Sequence, residues 1–204
     1  MTPTCPIIVM AKAPIAGYAK TRLIPALGAA GAAALAERLL DHAAHQALAA
    51  GLGTVDLCCS PDFEHAAFRR LAQQPGIQLS QQADGDLGVR MARAFDRWLR
   101  SKGRALMVGT DAPGANAELL RQAAAALDRA DVVLVPALDG GYALIGLNRP
   151  APELFTDIVW STASVMTATR RRLAASGLSH VELAPLADID EPADLIHLPT
   201  GWLA

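Results

Sequence analysis

The chain has 204 residues and a formal net charge of −2, so no strong overall field draws it to nucleic acid or to acidic lipid. Hydrophobic residues make up 52% of it, enough for one large domain over residues 1–204 with a substantial core. The first five residues carry no cation, and no apolar run approaches the ~20 residues of a bilayer span, so neither a signal peptide nor a membrane anchor is expected.

Apolar runs and helical patterns alternate along the chain. Pro6–Met10 reads as a buried strand, Ala29–Ala50 as a helix stopped by Gly51, and Thr54–Cys59 as a second strand. A short helix over Asp62–Gln73 leads to a strand at Ile77–Ser80. Leu87–Ser101 is helical, with Met91, Phe95, Trp98 and Leu99 on one apolar face. Then come a strand at Arg104–Val108, a helix at Ala117–Leu127 and a strand at Asp131–Val135. Tyr142–Leu147 is a strand that need not run parallel to the rest. Ser164–Ser176 is a helix, and His180–Leu183 a last strand. Strands separated by helices of this length predict an α/β fold, a mostly parallel sheet with helices on both faces. Cys5, Cys58 and Cys59 have no disulfide or zinc spacing; buried strand thiols and a cytoplasmic location are expected. His42 and His45 stand three apart on a helix without a third ligand in sight, and surface histidines are the expectation.

The loop after the first strand is the densest in chemistry. Lys12, Lys20 and Arg22, with Gly17 between them, follow a strand end, where α/β proteins bind ligands. Such cations suit phosphate oxygens, although a solvated basic loop is the plainer alternative. Gly17-Tyr18-Ala19-Lys20-Thr21 is not a P-loop, because Ala19 and Ile15 occupy its two obligatory glycine positions.

Four further segments end strands or start helices. Asp111, after Gly109-Thr110, is placed to hold Mg2+ or Mn2+ against a diphosphate, or else to cap the next turn. Asp139-Gly140-Gly141-Tyr142 is a hairpin turn or a close-approach loop with an aromatic that can stack. Asp188 and Asp190 alternate after the last strand, as metal ligands or as caps of a short helix at Pro192–His197. Gly85-Asp86 opens a helix whose free N–H groups can face an anion, with capping by Asp86 as the alternative.

With these segments placed, the chain resembles a family of short bacterial glycosyltransferase-A-like proteins, some linked to arsenosugar biosynthesis. The matching stretches are AKAPIAGYAKTRLIPALG at 11–28, GDLGVRM at 85–91, GTDAPG at 109–114, PALDGGYALIGL at 136–147, WSTASV at 160–165 and LADIDEPADL at 186–195. The resemblance implies a three-layer, Rossmann-like nucleotide-diphospho-sugar transferase fold, and kinship with cofactor guanylyltransferases. It implies a nucleotide and phosphate site at Lys12, Gly17, Lys20 and Arg22, with Gly85 and Asp86 beside it. Asp111 becomes the metal residue, and Asp139, Gly140, Gly141 and Tyr142 line the acceptor side. One departure matters. Metal-dependent glycosyltransferases of this fold carry Asp-x-Asp after the middle strand, where this chain has Gly109-Thr110-Asp111. A second carboxylate must come from Asp139, Asp188 or Asp190.

The functional expectation is transfer of a glycosyl group from a nucleotide-activated sugar to a small-molecule acceptor. Lys20, Arg22 and a divalent cation at Asp111 would neutralise charge on the leaving diphosphate, with Lys20 and Asp111 as catalytic residues. Nucleotidyl transfer with release of pyrophosphate is the second reading, and a non-catalytic nucleotide-binding protein the third. Partners are small molecules, with no nucleic acid and no membrane; a homodimer is compatible with the apolar residues near the C-terminus.

Overall fold

The computed structural model describes residues 4–203. The strands are β1 (Ile7–Lys12), β2 (Val55–Ser60), β3 (Ile77–Gln81), β4 (Ala105–Gly109), β5 (Val132–Pro136), β6 (Tyr142–Leu147) and β7 (His180–Glu182). The α-helices are α1 (Ile24–Ala50), α2 (Ala66–Leu71), α3 (Leu87–Lys102), α4 (Ala117–Ala126) and α5 (Val165–Ser176). All seven strands form one sheet in the order β3-β2-β1-β4-β6-β5-β7. The α/β sandwich expected from the sequence is therefore the fold. β6 runs antiparallel to both β4 and β5, and the other pairings are parallel.

Side chains of a strand alternate between the two faces of a sheet, and the core divides accordingly. Ile7, Val9 and Ala11 of β1 pack with Leu40, Ala44, Phe68 and Leu120 of α1, α2 and α4. Ile8 and Met107 pack on the other face with Met91, Phe95, Met166 and Leu173 of α3 and α5. The chain thus winds outward from β1 to β3 with α1 and α2 on one face. It then crosses by α3 on the opposite face to β4, on the other side of β1. The strand order reverses between β1 and β4, and in open sheets a crevice forms beyond the carboxyl ends at such a point.

α1 differs from its expected bounds in an instructive way. Its first turn, Ile24–Leu27, is separated from the rest by Gly28, whose φ of 70° and ψ of 165° are not helical. Regular helix begins at Ala29, where the sequence places it. Residues 21–50 are long and apolar enough to cross a membrane by length and composition, contrary to the absence of any such run expected from the sequence. The placement is that of a core helix: Leu35, Leu39, Leu40, Ala44 and Ala47 are buried. Its mid-length Glu37 and Asp41 pair with Arg70 of α2. α2 is shorter than the helix expected over Asp62–Gln73 because His65 caps it, with Nδ1 accepting from the Ala67 N–H at 3.3 Å. The three cysteines are free and buried, as expected. His42 is not a free surface group: Nε2 lies 2.9 Å from the Pro113 carbonyl, and the ring meets Trp202 edge-on.

Candidate active site

A crevice of about 630 Å³ opens over the carboxyl ends of β1 and β4. Its wall includes Lys12, Lys20, Arg22, Asp111, Asp139, Gly141, Tyr142, Asp188 and Asp190, so the sequence candidates from four separate segments converge there. Of the other candidates, Gly17, Gly85, Asp86 and Gly140 lie outside the lining.

The convergence has a local cause. After β7 the chain bridges back along β5, with the Leu186 N–H donating to Pro136 O at 2.9 Å and the Leu138 N–H to Leu186 O at 3.0 Å. The Ile189 N–H then donates to Asp111 O at 2.9 Å, which ties this segment to the end of β4. Ile189 is fully buried with Leu23, Leu35 and Leu39. In extended backbone its neighbours face the other way. Asp188 and Asp190 therefore turn to the crevice because Ile189 turns to the core. The capping expected of the segment Asp188–Pro192 comes from its Glu191, which forms a capping box with Asp194 over the 3-10 turn Pro192–His197.

Lys20 sits at the centre. Its backbone is left-handed, with φ 48° and ψ 45°, which costs a non-glycine residue roughly 1 kcal/mol. The side chain is 9% exposed, and Nζ lies 2.5 Å from Asp111 Oδ1 and 2.8 Å from Asp190 Oδ1. It also donates to Ile189 O at 2.6 Å. Burial alone lowers the ammonium pKa, but Asp111 and Asp190 outweigh it and hold the group above its ordinary value. Asp111 does not cap α4; Asn116 does, accepting from the Leu119 N–H at 2.9 Å.

Asp139, Asp188 and Asp190 each offer a carboxylate oxygen, all within 4.8 Å of one another. Burial first, then the neighbouring Asp139 and Asp190, push the Asp188 carboxyl up to about 6. Oxygen donors so grouped suit a hard divalent cation. Asp139 also closes the β5–β6 turn, accepting from the Gly141 N–H at 2.7 Å, as the hairpin reading of this segment expects. Gly140 supports the turn with φ 92°, and a Cβ there would lie 2.4 Å from Ala163 O, closer than any side chain tolerates.

The remaining candidates take simpler roles. Lys12 Nζ lies 3.9 Å from the centre of the Tyr18 ring. Arg22 is exposed, with only a loose 3.8 Å approach to Glu191. Gly17, φ 78°, lets the loop turn between them. Asp86 caps α3, accepting from the Val89 N–H at 2.8 Å, and Gly85, φ 119°, precedes it. Burial raises the Tyr142 phenol, so its O–H stays a donor, directed at Met91 Sδ at 3.9 Å.

The sequence reading left several lining residues without a role. Gln82 donates to Ala11 O and Cys58 O, holding the ends of β1 and β2. Arg90 donates from Nε to Gly85 O at 2.8 Å. Trp160 meets Tyr142 edge-on at 6.5 Å, and its Nε1 is the buried side-chain polar atom without a partner among the described residues. The only sequence signals were the GDLGVRM and WSTASV stretches that contain Arg90 and Trp160.

Several solved structures share this architecture. A "putative nucleotide-diphospho-sugar transferase" from Desulfovibrio desulfuricans G20 matches with a TM-score of 0.85 and 29% identity, over 96% of this chain and 85% of its own. A nucleotidyl transferase from Methanothermobacter thermautotroptrophicus matches at 0.62 and 13% identity, over 100% of this chain and 99% of its own. Rv0371c from Mycobacterium tuberculosis H37Rv, in complex with manganese, matches at 0.52 and 16% identity, over 96% and 98%. At 13% and 16% the likeness is one of fold. No curated protein matches the chain. Residues 39–162, more than half the chain, fit the model of the family described as "Uncharacterized protein conserved in bacteria (DUF2064)", and the chain belongs to that family.

Proposed function

We propose that this chain is a transferase that binds a nucleotide-activated sugar with a divalent cation and passes the glycosyl group to a small-molecule acceptor. One observation carries the reading. Cationic Lys12 and Arg22 and the carboxylates of Asp111, Asp139, Asp188 and Asp190 line a single crevice at the point where the strand order reverses. The likeness to the Desulfovibrio structure supports it.

Arg22 and Lys12 offer donors to the diphosphate, and the aromatic pair Tyr142 and Trp160 forms a wall suited to the acceptor. Asp139, Asp188 and Asp190, with Asp111 nearby, would hold Mg2+ or Mn2+, which supplies charge neutralisation on the leaving diphosphate. Fixed cationic donors aimed at developing negative charge stabilise the transition state more than the ground state. Three free cysteines fit a cytoplasmic location.

The lone carboxylate of Gly109-Thr110-Asp111 favours a second reading, nucleotidyl transfer. The likeness in fold to the Methanothermobacter nucleotidyl transferase is compatible with it. Product analysis with Mn2+ separates the two. A free nucleoside diphosphate released from a sugar nucleotide marks glycosyl transfer, and pyrophosphate released from a nucleoside triphosphate marks nucleotidyl transfer. Arsenosugar precursors belong in the acceptor panel. Tight nucleotide binding with neither product across that panel would leave a non-catalytic binding protein.

A further inference from the structure

The Lys20 ammonium has three N–H donors. Ile189 O and Asp190 Oδ1 accept from it at 2.6 and 2.8 Å, and Asp111 Oδ1 is ion-paired with it at 2.5 Å. With the side chain 9% exposed, none is left for a phosphate. The lysine that the loop pattern offers to a diphosphate is therefore committed elsewhere. What surrounds Nζ is the donor set of a hard cation: two carboxylate oxygens and a backbone carbonyl. Asp190 also belongs to the group with Asp139 and Asp188. Two carboxylates thus share one ammonium while Asp139 and Asp188 crowd against Asp190, and a divalent ion is the better counter-charge for the group.

We propose that Lys20 is the resident cation of this site and that a divalent ion exchanges with it. Metal arriving at Asp190 and Asp111 releases the ammonium, which then turns to the phosphates of the ligand. The ligand that completes the site is accordingly the metal chelate of a nucleoside diphosphate or triphosphate, and metal and phosphate bind with positive cooperativity. Free nucleotide meets only Lys12 and Arg22. This inference rests on the nucleotide-transferase reading above.

The test measures Mn2+ binding and pyrophosphate binding by calorimetry, each alone and together, for the wild type, Lys20→Met and Lys12→Met. Lys20→Met removes the competitor, so Mn2+ alone should bind at least tenfold tighter. Pyrophosphate with saturating Mn2+ should bind at least tenfold more weakly, and the cooperativity should vanish. Lys12→Met should leave Mn2+ affinity within about threefold, since the Lys12 ammonium lies over the Tyr18 ring, 3.9 Å from its centre, and only shares the crevice wall with these carboxylates. Unchanged or weaker Mn2+ binding by Lys20→Met overturns the exchange and leaves the transferase reading standing. Equal tightening by both variants also overturns it, because bulk charge then explains the effect. No Mn2+ binding by the wild type sinks the metal-dependent reading itself. If Lys20→Met does not fold, the wild type answers alone: its slowly exchanging 15Nζ ammonium signal should shift or vanish as Mg2+ is added, and an unmoved signal at saturation overturns the proposal.

Discussion

The Lys20 ammonium and the Asp111 carboxylate meet at 2.5 Å, joining the loop after β1 to the first residues beyond β4. These two strands are neighbours in the sheet, in register from Ile7↔Leu106 to Met10↔Gly109. The contact spans the point where the strand order reverses, and both residues line the crevice there.

Asp111→Asn tests the metal role. The fold should persist, because α4 is capped by Asn116 and the amide still offers Lys20 an acceptor. Neutral amides bind hard cations poorly. The enhancement of nucleotide binding by Mn2+ or Mg2+ should fall at least tenfold, measured by titration with and without metal. Enhancement at the wild-type factor would move the metal wholly to Asp139, Asp188 and Asp190.

Arg22→Ala tests the phosphate role. Arg22 is exposed and its approach to Glu191 is loose, so its removal should hardly change stability. A hydrogen bond to a charged group contributes about 1.5–3 kcal/mol, which corresponds to roughly 10- to 150-fold in affinity. That loss should appear for a nucleoside diphosphate and not for the nucleoside. Equal losses for both ligands would show that Arg22 does not touch phosphate.

Much of this was legible in the sequence. All seven strands were expected near their observed places, because buried strands announce themselves as apolar runs between turn residues. Boundaries slipped where side chains decide them: α2 starts at Ala66, behind its His65 cap and four residues after the expected Asp62 start. The orientation of β6 was left open, since alternation does not encode direction. The strand-end residues were legible by position alone. Their pairing was not. Lys20 and Asp190 are 170 residues apart, and nothing local to either says that the Lys20 side chain turns inward rather than to the crevice mouth. Trp160 was missed for a similar reason: it reaches the wall from an irregular segment with no periodicity to read.

Asp56→Ala should separate stability from function. Asp56 is fully buried on β2 and accepts from Trp98 Nε1 at 2.8 Å and Ser80 Oγ at 2.6 Å, with Arg97 at 3.4 Å. Removing the carboxylate strands the indole N–H and leaves the Arg97 charge without its counter-ion, held only by Ser80 Oγ and Cys58 Sγ. The cost should be about 2–4 kcal/mol, below the full value for a buried ion pair because Arg97 reaches solvent. Urea unfolding should show it as a lower midpoint, with nucleotide affinity of the folded fraction unchanged. A shift below about 1 kcal/mol would mean that water replaces the carboxylate.

The acidic group predicts a pH dependence that metal should reverse. Burial, and after it Asp139 and Asp190, hold the Asp188 carboxyl at about 6, above its ordinary 3.8. A raised carboxyl pKa means that the folded protein binds this proton more tightly than the unfolded chain does. The resulting stability is present below 3.8 and is lost as pH rises through about 6. Without metal, then, the contribution of this group should make Tm fall between about pH 5 and pH 7.5, and Asp188→Asn should flatten that fall. Metal binding displaces the proton, so Mn2+ should stabilise the wild type much more at the higher pH than at the lower. The measurement is a thermal melt at both pH values, with chelator and with saturating Mn2+, for the wild type and Asp188→Asn. An equal Mn2+ effect at the two pH values would remove Asp188 from the ligand set and leave its raised carboxyl as a consequence of crowding alone.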